Sequence, residues 1–213
     1  MLLMLAGVAV PARAAGEGRV TVLAFGDSLT QGYGLPQGRG LVPQLQDWLD
    51  AHDARARVIN GGVSGDTTAG GAARIAWSLT DEVDAIIVAL GGNDMLRGID
   101  PAVSRGNLDT ILTEATSAGV AVLLVGMRAP GNYGAGYKRA FEAMYAELAE
   151  RHGVLLHRDF FSGLGAGTPA ELMRWFQRDG LHPNSEGVAR IVAGLGPSVL
   201  ELLERARAQQ DAG

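Results

Sequence analysis

The run Ala85-Ile86-Ile87-Val88-Ala89-Leu90 is apolar at every position, so both of its faces must be covered. A short run of this kind suits a strand inside a sheet that is packed on both sides. Four further short runs carry a similar signature, at 20–25, 57–60, 121–125 and 154–157. Helical spacing fills intervals between them, at 42–52, 68–79, 101–118 and 137–152. Pro43 fits a first helical turn, and Gly119 and Gly153 fit helix ends. Residues 127–136 read as a Gly/Pro loop and 159–178 as irregular chain or short helices. Residues 184–210 read as helix with a break at 194–197. Strands alternating with helices imply parallel pairing through right-handed crossovers, which puts helices on both faces. The expected fold is α/β, a three-layer α/β/α sandwich around a five-stranded parallel sheet of flavodoxin-like order.

At 213 residues, of which 47% are hydrophobic, the chain can build one sizeable core, and no repeat, linker or charge block divides it. A single domain is expected over 15–213. Residues 1–14 read as a signal peptide: Met1 to Val10 is almost wholly apolar, and Pro11-Ala12-Arg13-Ala14-Ala15 holds an A-x-A cleavage pattern. That apolar stretch falls short of the roughly 20 residues a membrane span needs. A periplasmic or secreted protein without a stable membrane span is therefore expected. The formal charge is −5 with no Lys/Arg cluster, which leaves a nucleic-acid partner without electrostatic support. With no cysteine, the chain can form neither a disulfide nor a thiol nucleophile.

The unusual polar residues fall where the strands end. The first strand runs into Gly26-Asp27-Ser28-Leu29, the second into Asn60-Gly61-Gly62-Val63-Ser64-Gly65-Asp66, and the third into Gly91-Gly92-Asn93-Asp94. Asp179-Gly180-Leu181-His182-Pro183 follows the irregular stretch. In an open parallel sheet such loops share the edge outside the carboxyl ends of the strands, where ligands bind. There a serine hydroxyl, a weak nucleophile alone, could meet an imidazole base and a carboxylate that orients it. The N–H of Ser28, the N–H of Gly65 and the carboxamide of Asn93 could serve a developing oxyanion. Each piece alone has a plainer reading, as a helix cap, a strand exit or a surface turn. Their combination points to acyl transfer.

Phe25-Gly26-Asp27-Ser28-Leu29-Thr30 resembles the first block of the GDSL, or SGNH, hydrolases. Gly65 matches that family's second-block glycine, Asn93 its third-block asparagine, and Asp179 with His182 its final block. A narrower likeness, to bacterial enzymes of thioesterase, lysophospholipase and arylesterase type, rests on the stretches Val63 to Thr67, Leu90 to Asp94, Leu96 to Gly98 and Asp179 to Asn184. The resemblance implies a triad of Ser28, His182 and Asp179, and an oxyanion hole of Ser28, Gly65 and Asn93. It also implies a loop, Pro130-Gly131-Asn132-Tyr133-Gly134, that helps cover an acyl chain, so Pro130, Asn132 and Tyr133 become candidate substrate contacts. Relatives often carry an aromatic residue where Val42 stands here.

The expected substrate is a small-molecule or lipid-like acyl ester or thioester, hydrolysed by a monomer without metal or organic cofactor. Two rivals are a carbohydrate acetyl-esterase using the same triad and a non-catalytic binding protein of flavodoxin-like architecture. His52, His152 and His157 lack neighbours at metal-ligand spacing, and neither H-E-x-x-H, a Walker A sequence nor G-x-S-x-G occurs. Asp94 reads as a brace for the loop that presents Asn93, with Asp66 and Thr67 in a similar part. Trp48, Trp77 and Trp175 read as packing residues, although Trp175 and Phe176 could instead wall a cleft.

Overall fold

The structure is a computed structural model that describes residues 18–212. The expected signal peptide, 1–14, lies outside them. Five parallel strands, β1 (Val20–Gly26), β2 (Ala56–Gly62), β3 (Ala85–Ala89), β4 (Ala121–Val125) and β5 (Leu155–His157), pair in the order β2-β1-β3-β4-β5. This is the flavodoxin-like order. β1, β3 and β4 are buried at every position, as a strand covered on both faces must be, whereas the edge strand β2 is mostly half-exposed.

The chain leaves β1 toward β2 and leaves β3 toward β4, in opposite directions across the sheet. The loops after β1 and β3 therefore diverge and open a crevice at the carboxyl edge. Two helical layers enclose the sheet. One pairs α2 (Leu41–Ala51) with α8 (Ser185–Ala212); the other packs α5 (Pro101–Ser117) against both α3 (Thr68–Ser78) and α6 (Gly134–His152). Among the described residues no helix is long and apolar enough to cross a membrane.

Three local readings change. Short helices α1 (Ser28–Gln31) and α4 (Gly92–Leu96) begin directly on the turns after β1 and β3. The short helix α7 (Pro169–Leu172), with a capping box between Thr168 and Glu171, agrees with the reading of 159–178 and is not one of the three. α6 starts at Gly134 rather than Tyr137. The break expected at 194–197 is absent, and α8 runs through Pro197. An interior proline costs about 3 kcal/mol. Burying Val188, Ile191, Val192, Leu195, Val199, Leu202 and Leu203 on one side of the helix outweighs this, at about 1.5–3 kcal/mol for each side chain. Gly196 is no breaker either. It lies against the ring of Trp48, where a β-carbon would come within 2.6 Å of ring atoms.

Candidate active site

β1 ends at Gly26, and Asp27 caps the helix that follows by accepting from the Leu29 amide at 3.0 Å. Ser28 thus becomes the first residue of α1, at the mouth of the crevice. Asp27 is itself 2% exposed. Its second oxygen accepts from Asn93 Nδ2 at 3.2 Å, and the same nitrogen donates to the Asp66 carbonyl at 2.9 Å. One carboxamide therefore links the loops after β1, β2 and β3. Asp94 is wholly buried and accepts from Thr68 N (2.8 Å), Thr68 Oγ1 (2.5 Å) and Ser104 Oγ (2.9 Å). It fastens α4 to α3 and α5, the bracing part read from the sequence.

Gly65 adopts φ +80°, a left-handed conformation that a side chain would strain, although a β-carbon would meet Arg97 Nη2 only at an ordinary 3.9 Å. Its carbonyl accepts from Arg97 Nη2 at 3.0 Å. Neither the Ser28 nor the Gly65 amide donates to a group among the described residues. Arg74 organises this corner: Nε pairs with Asp66 Oδ2 at 2.7 Å, Nη1 and Nη2 donate to the Gly61 and Gly26 carbonyls, and the guanidinium lies 3.8 Å over the Phe25 ring. The sequence reading passed over Arg74. Its one signal is a lone cation in a helix of small and apolar residues.

The residues around 176–183 fold back on themselves through a bridge between Phe176 and Pro183 and a 2.8 Å bond from Gln177 N to His182 O. Gly180, at φ +67°, turns the tip. Asp179 Oδ1 accepts from the Leu181 and His182 amides at 2.9 and 3.0 Å, and His182 Nδ1 donates to Oδ2 at 2.7 Å. This local pairing fixes the imidazole with its proton on Nδ1, which leaves Nε2 to accept from Ser28 Oγ at 2.9 Å. The Leu181 amide, then the His182 ring and amide, hold the Asp179 carboxyl down at about 2, so it is ionised wherever the protein is folded near neutrality.

Asp27 behaves oppositely. Burial pushes its carboxyl up to about 6, aided by the charge of Asp66 and opposed by the Leu29 amide, His182 and Asn93. The folded protein thus holds this proton more tightly than the unfolded chain. The resulting stability is fully present below the ordinary 3.8 and is lost as pH rises to about 6. Asp27→Asn keeps a capping oxygen for Leu29 and removes the buried charge. Relative to wild type, its melting temperature is expected to rise by about 3–6 °C between pH 4.5 and pH 8. Thermal unfolding at the two pH values checks this; a difference independent of pH would contradict it.

A cleft of about 240 Å³ opens beside Ser28, with Gly65, Asn93 and His182 in its wall. Leu29, Met95, Leu96, Met127, Phe161 and Leu181 make the rest largely apolar. Pro130, Asn132 and Tyr133 are exposed and do not line it, but the Tyr133 hydroxyl donates to the Leu96 carbonyl at 3.2 Å. The Trp175 ring lies against the guanidinium groups of Arg174 and Arg190 and does not line the cleft, while Phe176 packs on Phe161. Val42 is buried away from the cleft. His152 pairs with Asp109, His52 stacks on Trp48, and His157 sits between Ser198 and Ser162, all outside the cleft.

A hydroxyl bonded to an imidazole, itself oriented by an ionised carboxylate and flanked by free amide donors, is equipped for acyl transfer. The sequence pattern of the GDSL-like lipase/acylhydrolase family matches residues 24–190. Esterase TesA of Pseudomonas aeruginosa is 37% identical over 184 residues, which cover 86% of this chain and 89% of that protein. The thioesterase 1/protease 1/lysophospholipase L1 of Escherichia coli is 35% identical, covering 78% of this chain and 76% of its own. The crystal structure of AlinE4, an SGNH-hydrolase family esterase, superposes with a TM-score of 0.70 at 42% identity, over 86% of this chain and 96% of that one. On this sequence match and this likeness of fold, the chain belongs to the GDSL-like lipase/acylhydrolase family and is a serine hydrolase acting on esters.

Proposed function

We propose that the protein hydrolyses carboxylic esters and thioesters with an acyl chain, through a Ser28-His182-Asp179 triad and a covalent acyl-enzyme. The observation that carries this reading is the bonded series Ser28 Oγ–His182 Nε2 and His182 Nδ1–Asp179 Oδ2, at 2.9 and 2.7 Å, beside an apolar cleft. His182 takes the Ser28 proton as Oγ attacks the carbonyl carbon. The oxyanion rests on the Ser28 and Gly65 amides and on Asn93 Nδ2. His182, now charged beside the ionised Asp179, gives its proton to the leaving alcohol or thiol as the tetrahedral species collapses. A water then loses a proton to His182 as it attacks the Ser28 ester, and His182 gives that proton to Oγ as the second tetrahedral species collapses and the acid leaves. Every proton is returned, and the cycle calls for no metal or organic cofactor.

Supporting an acyl substrate, the six apolar side chains of the cleft offer a chain somewhere to lie. Of the three loop residues, Tyr133 acts at one remove, through its bond to the Leu96 carbonyl beside the cleft. We place the enzyme in the periplasm or outside the cell, because Met1 to Val10 and the A-x-A pattern after it read as a removable signal peptide. We take it as a monomer of one domain, 15–213, because no repeat, linker or charge block divides the chain.

The test is hydrolysis of p-nitrophenyl esters from acetyl to palmitoyl. Each buried methylene contributes about 0.8 kcal/mol, so kcat/KM is expected to rise about ten-fold from acetyl to butyryl. A maximum at acetyl would favour the carbohydrate acetyl-esterase instead, and no activity on any of these esters would point to polysaccharide esters or to a binding role.

A further inference from the structure

The His182-Asp179 pair is local, made within four residues of one turn, whereas the Ser28-His182 pair joins elements far apart in sequence. Something must hold the turn against α1. Tyr33 N donates to the Ser28 carbonyl at 3.1 Å, and the Tyr33 carbonyl in turn accepts from Gln177 Nε2 at 2.8 Å. That nitrogen also donates to the Pro183 carbonyl at 3.1 Å, and Gln177 N donates to the His182 carbonyl at 2.8 Å. A closed circuit results, from Ser28 through Tyr33 and Gln177 to His182, completed by the bond between Nε2 and Oγ. The Tyr33 ring, 4.8 Å from the imidazole and tilted by 41°, adds a packing surface on the same side.

We propose that Gln177 is a positioning residue, whose side-chain amide sets the distance between Ser28 and His182 by tying the segment after the nucleophile to the turn that carries the base. The inference rests on the triad reading above. Both amide hydrogens are spent on main-chain carbonyls of the two segments, so the link needs a neutral double donor of this length. Removing it leaves the Asp179 pairing intact, because nothing in that pairing crosses to α1. Small misplacements of a base relative to its nucleophile are costly, up to about 10²-fold for 1 Å.

Gln177→Met keeps the length and removes both donors; Gln177→Glu keeps the shape and sets acceptors against the two carbonyls. Both variants are expected to lose about ten-fold in kcat with KM within about two-fold of wild type. The rate of Ser28 phosphonylation by a p-nitrophenyl phosphonate should fall in parallel, since that reaction reads attack by the serine directly. The low-field proton resonance of His182 Nδ1–H should persist in both. Unchanged phosphonylation would overturn the proposal. So would loss of the Nδ1–H resonance together with activity, which would make Gln177 a prop of the turn itself. Ser28→Ala separates the two levels of the account. If that variant stays active the triad reading fails; if it is inactive and the Gln177 variants are unimpaired, only the positioning role fails.

Discussion

Ser28→Ala is expected to lower kcat on p-nitrophenyl butyrate by about 10⁵-fold or more. The loss is this large because, among the described residues, no other side chain at the cleft offers a hydroxyl bonded to a base: Oγ is the one partner of His182 Nε2 there. Water attacking directly could still use the oxyanion donors, so a residual rate above the uncatalysed reaction should remain. His182→Ala should cost about as much, and the double variant little more than either single one, since nucleophile and base act as a unit. Folding should be spared, as Ser28 is only partly buried and its side chain makes one hydrogen bond there. Steady-state kinetics with melting curves on the same samples check both statements. More than about one per cent of wild-type turnover in a folded Ser28→Ala would contradict the assignment.

Asn93→Ala should remove about 10²–10³-fold from kcat, the typical cost of one oxyanion donor, about 2.7–4 kcal/mol of transition-state stabilisation. The resting geometry explains why the effect falls on kcat. One carboxamide hydrogen is anchored on the Asp66 carbonyl at 2.9 Å; the other faces Asp27 across a longer 3.2 Å. In the proposed mechanism an incoming oxyanion replaces the second contact, so Asn93 would bond substrate most strongly when charge has developed. KM should therefore move by much less than kcat. The same truncation leaves the buried Asp27 carboxylate and the Asp66 carbonyl without this partner, which should cost about 1–3 kcal/mol of stability. A variant impaired in KM alone would show that Asn93 holds substrate rather than the transition state.

The strands and the loops that bear Ser28, Gly65, Asn93, Asp179 and His182 were legible because each depends on a local pattern. The sheet order is favoured instead because it gathers those loops at one switch point. An all-apolar run such as 85–90 has few places to go in a folded chain, and polar residues set at the ends of such runs converge whatever the intervening helices do. The errors came where long-range packing outweighs local preference. Gly194, Gly196 and Pro197 look like a helix end, but the buried stripe of α8 and the Trp48 ring override them. The cleft was hardly readable: Leu29, Met95, Met127 and Phe161 come from four separate connections and share no spacing. Arg74 and Gln177 were equally hidden. Both act mainly on main-chain carbonyls, which every residue possesses, so sequence gives no sign of the partner.

The most direct test of the account is to treat the protein with a p-nitrophenyl phosphonate ester and locate the adduct by peptide mass spectrometry. The expected result is one phosphonyl group per chain, on Ser28, with activity lost in proportion and no adduct on Ser28→Ala. An adduct on another residue, or full labelling of Ser28 with activity intact, would contradict the claim that Ser28 is the nucleophile.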